Sequence, residues 1–150
     1  MITINPYVFP GIRRSDLPEE YAVLGDPAQV SQKMILDSLQ DVLNVNFKQL
    51  CSPIRRTHHV RGRIFYCHLM RKYTGWSLKE IGQSINRDHT TVIHNIRNHE
   101  AFVETEDKFK ELDATIERDI AYRRTLVVYK LLTLLHEKDN SQVLEMSELS

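Results

Sequence analysis

The sequence predicts an all-helical fold, and three observations carry that expectation. Apolar residues recur at three- and four-residue intervals over long stretches. No alternating run is long enough for a sheet. Only 5 Gly and 5 Pro interrupt the 150 residues. At this length one globular domain with tails or a small accessory element is expected, and 41% apolar residues suffice for a modest core.

Residues 1–27 contain Pro6, Pro10, Gly11, Pro18, Gly25 and Pro27, too many breaks for a continuous helix, so an extended arm is expected. Tyr7, Val8, Phe9 and Ile12 give it apolar side chains with which to dock. Asp26-Pro27 reads as a helix start, Asp as N-cap and Pro at the first position, and opens a domain over residues 28–120. Val30, Met34, Ile35, Leu39, Val42 and Leu43 mark one face of that helix through about Val45. Asn46 to Leu50 reads as a short second helix. Ser52 to Arg63 reads as a basic loop, closed by Pro53 and Gly62. From Ile64 to Tyr73 a core helix follows. Its apolar face is Phe65, Tyr66, Leu69, Met70 and Tyr73, with Arg71 and Lys72 opposite.

Ser77 with Glu80 three residues on forms a capping box, so a further helix starts at about Leu78 and turns Leu78, Ile81 and Ile85 inward. Asn86-Arg87-Asp88 makes a turn, and Asp88 is the expected N-cap of the next helix, accepting from the amides of Thr90 or Thr91. That helix runs to about Glu104. Val92, Ile96, His99 and Val103 share one sector, and Thr90, Thr91, His94, Arg97 and Asn98 the opposite one. A surface helix usually covers its outer face with Lys and Glu. This one offers short hydrogen-bonding side chains, which can approach base edges closely. A short helix, a tight turn and a second helix with a polar outer face make the helix-turn-helix pattern.

Beyond Thr105, Phe109, Leu112, Ile116 and Ile120 can close the core of the same unit. A separate helix is expected over 121–138, where Leu126, Val127, Val128, Leu131, Leu132, Leu134 and Leu135 are apolar nearly all round. It needs a surface to cover it. Pairing with a second copy is favoured over folding back, so a homodimer is expected. Residues 139–150 read as a disordered tail.

The net charge of zero conceals an asymmetry. Between Cys51 and Asn98 stand Arg55, Arg56, Arg61, Arg63, Arg71, Lys72, Lys79, Arg87 and Arg97, against Glu80 and Asp88 alone. That segment carries +7 and the remainder −7. A basic patch within a neutral chain suggests a polyanion held at one face. No basic-then-apolar leader and no apolar run of about 18–20 residues is present, so a cytoplasmic protein without membrane contact is expected.

Catalytic readings find little support. No Gly-x-x-x-x-Gly-Lys-Ser/Thr loop occurs to cradle a nucleotide, so no nucleotide is expected. A nicking enzyme wants two histidines flanking one apolar residue, whereas four residues separate His89 from His94. His58, His59, Cys51, Cys67 and His68 are the candidates for a metal. The adjacent pairs would point about 100° apart on a helix, so neither metal nor cofactor is expected.

Arg87-Asp88-His89-Thr90-Thr91-Val92-Ile93-His94 closely resembles the signature of the C-terminal DNA-binding domain of the bacterial replication initiator DnaA. The resemblance extends over roughly Gln29 to Glu104. It takes in Ser77-Leu78-Lys79-Glu80-Ile81-Gly82, and the basic Arg55-Arg56 and Val60-Arg61-Gly62-Arg63 stretches. It implies a helix-turn-helix fold of the DnaA C-terminal, Trp-repressor-like type and double-stranded DNA as partner. By the resemblance, Asp88, His89, Thr90, Thr91 and His94 face base edges in the major groove, and Arg56 enters the minor groove. Arg55, Arg61, Arg63, Arg71, Lys79, Arg87 and Arg97 would sit near phosphates. The chain is therefore expected to be a lone DNA-binding domain without catalysis, of a kind suited to a phage, a mobile element or a regulator competing for initiator sites. The rival expectation is a helical assembly protein that works through Leu126–Leu135, with DNA contact secondary.

Overall fold

A computed structural model describes residues 29–148 and is helical throughout. The expected arm over 1–27 lies outside the described residues. Six helices follow in order: α1 Gln32–Leu43, α2 Phe47–Cys51, α3 Thr57–Tyr73, α4 Leu78–Ser84, α5 His89–Thr105 and α6 Asp107–Glu148. Two compact units are distinguished, one spanning Val30–Ile120 and the other containing residues 121–148. No helix among the described residues is long and apolar enough to cross a membrane.

In the first unit α3 is the central element, packed by α1, α2, α4 and α5. Ile64, Phe65, Tyr66, Cys67, Leu69 and Met70 are all buried, which leaves a helix covered on nearly every side through its middle. Leu39, Leu50, Ile81, Ile85 and Val92 contribute from the surrounding helices. The Tyr66 hydroxyl accepts from Gln32 Nε2 at 3.0 Å and pairs with Ser84 Oγ at 2.7 Å, joining α1, α3 and α4 through one polar atom. The early part of α6 closes this core. Phe109 stacks on Phe65 with ring centroids 4.6 Å apart, and Ile116 and Ile120 are buried. Farther along, the Lys72 ammonium meets Glu117 at 3.0 Å, and the Tyr73 hydroxyl donates to the other oxygen of the same carboxylate.

Four boundaries differ from the sequence expectation. Helix α1 begins at Gln32 under Ser31, whose hydroxyl accepts from the Met34 amide, rather than at Asp26-Pro27. Helix α3 begins at Thr57, so Thr57–Arg63 is helix and the basic loop shrinks to residues 52–56. Gly62, read as a loop residue, lies inside α3 at a close helix crossing: a Cβ there would stand 3.0 Å from Val45 Cγ1 and 3.1 Å from Leu50 Cδ2. Finally α6 is one helix from Asp107 to Glu148, with no break near 121 and no end at 138. The chain holds no Gly or Pro after residue 106 to interrupt it. In the second unit Val128 and Leu131 are buried, whereas Tyr122, Leu126 and Tyr129 remain largely exposed.

Candidate nucleic-acid interface

The interface is built on α4, the turn after it and the first turns of α5. Ser77 and Glu80 form the reciprocal capping box expected from their spacing, which fixes the start of α4. The turn closes back on the helix: the Arg87 amide donates to the Gly82 carbonyl at 2.8 Å, and Asn86 takes a left-handed φ of 57°. Asn tolerates that region better than most residues because its short amide can bond locally. Gly82 is dictated by the same closure. A Cβ on it would lie 2.5 Å from the Arg87 carbonyl oxygen, nearer than any real carbon approaches.

Asp88 caps α5, but its carboxylate accepts from the His89 amide at 2.9 Å rather than from the backbone amide of Thr90 or Thr91. The His89 ring Nδ1 lies 2.9 Å from the same oxygen. Desolvation alone would raise the Asp88 pKa, but the bonds from His89 and Thr90 outweigh it and hold the carboxyl below its usual range. Val92 and His99 turn into the core. Asp88, His89, Thr90, His94, Arg97 and Asn98 are exposed, and Thr91 is half-buried at the edge of that face.

The loop of residues 52–56 is fixed beside this helix by two guanidinium groups. Arg63 donates from Nε to the Leu50 carbonyl at 2.8 Å. Its Nη2 reaches the carbonyls of Gln49 at 3.1 Å, Ser52 at 2.5 Å and Ile54 at 2.9 Å. Arg87, from the turn before α5, donates to the same Ser52 carbonyl at 2.6 Å. One oxygen therefore joins the loop both to α3 and to the turn that starts α5. Arg55 and Arg56 project from this loop into solvent.

These contacts sort the nine basic residues. Arg55, Arg56, Arg71, Lys79 and Arg97 are exposed, and Arg61 is half-exposed. Lys72 is exposed but salt-bridged to Glu117. Arg87 is partly covered, with its guanidinium on the carbonyls of Ser52, Ile85 and Asn86. Arg63 departs from the expectation of a phosphate contact: it is 5% exposed and serves the carbonyls that α2 and the loop leave unpaired. Burial is the main influence that lowers its pKa, and the nearby Arg87 adds to it. Its place was readable in principle, since His59, Arg63, Tyr66 and Met70 follow one another at helical spacing on a buried stripe. The structural role of the Ser52 carbonyl has no signature in sequence.

Helix α3 also starts without a side-chain cap on its first-turn amides, because Arg56 holds the N-cap position without a side-chain bond. Of the metal candidates read from sequence, His58 and His59 touch edge to face with ring centroids 4.1 Å apart, but among the described residues the five do not gather into a group of three donors. His68 instead joins His99 and Asp113.

Comparison with known proteins relates the same segment to a family. Residues 32–98 match the family model described as the bacterial DnaA protein helix-turn-helix. The chain is 34% identical over 76 residues to the chromosomal replication initiator protein DnaA of Desulfotalea psychrophila, covering 51% of this chain and 16% of that protein. It is 33% identical over 95 residues to the protein of that name from Gloeobacter violaceus, covering 63% and 19%. A longer alignment, 28% identical over 118 residues, relates it to the Ruegeria relative and covers 75% and 24%. This chain therefore matches less than a quarter of each relative's length. With its capped α4, closed turn and polar-faced α5, the segment at residues 32–98 is similar to the bacterial DnaA helix-turn-helix family, whose model it matches.

Proposed function

We propose that the chain binds double-stranded DNA sequence-specifically, with the start of α5 in the major groove and the 52–56 loop at the minor groove and flanking phosphates. The observation that carries this reading is the fixed juxtaposition of the two probes. Exposed Asp88, His89, Thr90 and His94 stand on one helix, and exposed Arg55 and Arg56 on a loop bonded to that helix through Arg87 and Ser52. Thr methyl groups suit the thymine methyl, Asp accepts from an exocyclic amine, and an arginine is favoured where A·T pairs narrow the minor groove. Arg61, Arg71, Lys79 and Arg97 supply charge for phosphates, and the uncapped amides of α3 offer a further anion contact. Catalysis has no part in this reading. The likeness to replication initiators favours a role in initiation or its regulation.

Gel-shift titrations on random duplexes and on duplexes carrying a selected site, each at two salt concentrations, test the proposal. The parent chain is expected to prefer the selected site. His94→Ala and Thr91→Ala should weaken that site by about 1–3 kcal/mol per lost base contact and random DNA much less. Equal weakening on both would remove these residues from sequence readout.

The second reading is self-association, favoured by the exposed Tyr122, Leu126 and Tyr129, which recur at helical spacing on α6. A second copy pairing there would bring two recognition helices to one DNA and favour paired half-sites.

A further inference from the structure

Behind the interface, three helices bring together side chains that no sequence motif links. His68 on α3, His99 on α5 and Asp113 on α6 each offer one ligand-capable atom, and these atoms lie within 4.8 Å of one another. His99 Nε2 stands 2.7 Å from Asp113 Oδ1, and the two imidazoles stack at 3.5 Å with planes 10° apart. His99 is buried, edge-on to Phe65 and Phe109, and its Nδ1 has no hydrogen-bond partner. His68 and Asp113 are only partly buried, so the cluster is open to solvent on one side.

We propose that this cluster binds a divalent transition-metal ion, with Zn2+ the best match, and so ties α6 to the helices that carry the recognition surface. Two imidazoles and one carboxylate, with a fourth position left to water, form a donor set suited to zinc. Mg2+ and Ca2+ are poorly suited, since both prefer shells of oxygen. Bonds of about 2.0–2.1 Å put neighbouring donors about 3.3 Å apart, so the wider separations contract by roughly 1.5 Å on binding. An ion lies in the plane of each ring it binds, so the stacked imidazoles must also tilt out of parallel. His68 and Asp113 are the members with room to move, while Phe65 and Phe109 hold His99. The ion would take the lone pair of His99 Nε2, leaving the ring proton on Nδ1. The bound ion would supplement the Lys72–Glu117 and Tyr73–Glu117 contacts that already fasten α6 to α3.

The test uses the full chain, stripped with a chelator and titrated with ZnCl2, and with CoCl2 as a spectroscopic probe of tetrahedral coordination. A single equivalent of Zn2+ is expected to bind. At about a hundredfold excess over Kd, it should raise Tm by about 5–11 °C. Co2+ should give the visible absorption of a four-coordinate site. His68→Ala removes a partly exposed ligand and should leave the fold intact, while Asp113→Asn keeps the shape and removes the charge. Each should weaken binding at least tenfold. No binding below about 100 μM, or unchanged stoichiometry and affinity in both variants, overturns the proposal. Unchanged binding in the variants would put the ion on other histidines.

Discussion

Replacing Arg63 with Met separates two readings of the most basic stretch of the chain. As a phosphate contact, Arg63 would contribute affinity and almost nothing to stability. As a buried clamp it does the reverse. Met keeps an aliphatic stem in the buried position while deleting the guanidinium. The deletion leaves the Leu50 carbonyl without its 2.8 Å donor in a buried position, which costs about 1–3 kcal/mol. The other acceptors suffer less. Gln49 keeps the Ser52 hydroxyl at 2.9 Å, Ser52 keeps Arg87, and the Ile54 carbonyl belongs to an exposed residue that water can reach. Each such loss is worth about 1 kcal/mol, and relief from burying a charge offsets part of the sum. A net loss of about 2–4 kcal/mol is expected, a large share of a typical stability of roughly 5–15 kcal/mol. Urea unfolding followed by helical circular dichroism measures it. The salt dependence of DNA binding, recorded where the variant is folded, should keep its slope, whereas Arg55→Ala or Arg56→Ala should flatten it by about one unit. An Arg63→Met protein as stable as its parent, with a flattened slope, would refute the clamp.

Gly82→Ala gives a result of unambiguous sign. In an open helix interior the change stabilises by about 0.5–1 kcal/mol, but against the Arg87 carbonyl it should destabilise by about 1–2 kcal/mol and weaken DNA binding, both read from one purified variant. The Asp88 carboxyl, held below its usual range, favours the folded state above the unfolded pKa, and that contribution disappears as pH falls through the lower folded value. Asp88→Asn keeps a capping side chain without the charge, so its unfolding midpoint should fall less steeply with acid than the parent's. If Tyr122, Leu126 and Tyr129 form the contact between copies, the full chain should sediment as a dimer at micromolar concentration and Leu126→Glu as a monomer. Monomers in both cases would end the paired-site idea.

The helix-turn-helix was legible because its signals are local. The Ser77–Glu80 box, the polar Asn86-Arg87-Asp88 turn and the inward Val92 each act within a few residues of chain. The start of α3 was not, because Arg56 occupies the N-cap without a capping side chain and the next turn, Thr57 to Val60, lacks an apolar stripe. Gly62 looks like a break unless Val45 and Leu50 are known to crowd it. Misplacing that boundary also put Arg63 in a loop, where burial by periodicity has no meaning. The His68, His99 and Asp113 cluster is non-local, its successive members 31 and 14 positions apart in sequence. Only tertiary packing assembles it.

The shared Ser52 carbonyl makes the two proposed probes into a caliper of fixed opening. With Arg63 and Arg87 both holding that oxygen, the backbone of the loop at Ser52 cannot shift toward or away from α5 without losing a charge-assisted bond. On the proposed docking, the protein therefore does not adjust to the spacing between grooves, and the DNA must. Sites would then rank partly by what it costs the duplex to meet that gauge. Flexible pyrimidine–purine steps between the two contact points would improve binding at positions no side chain touches.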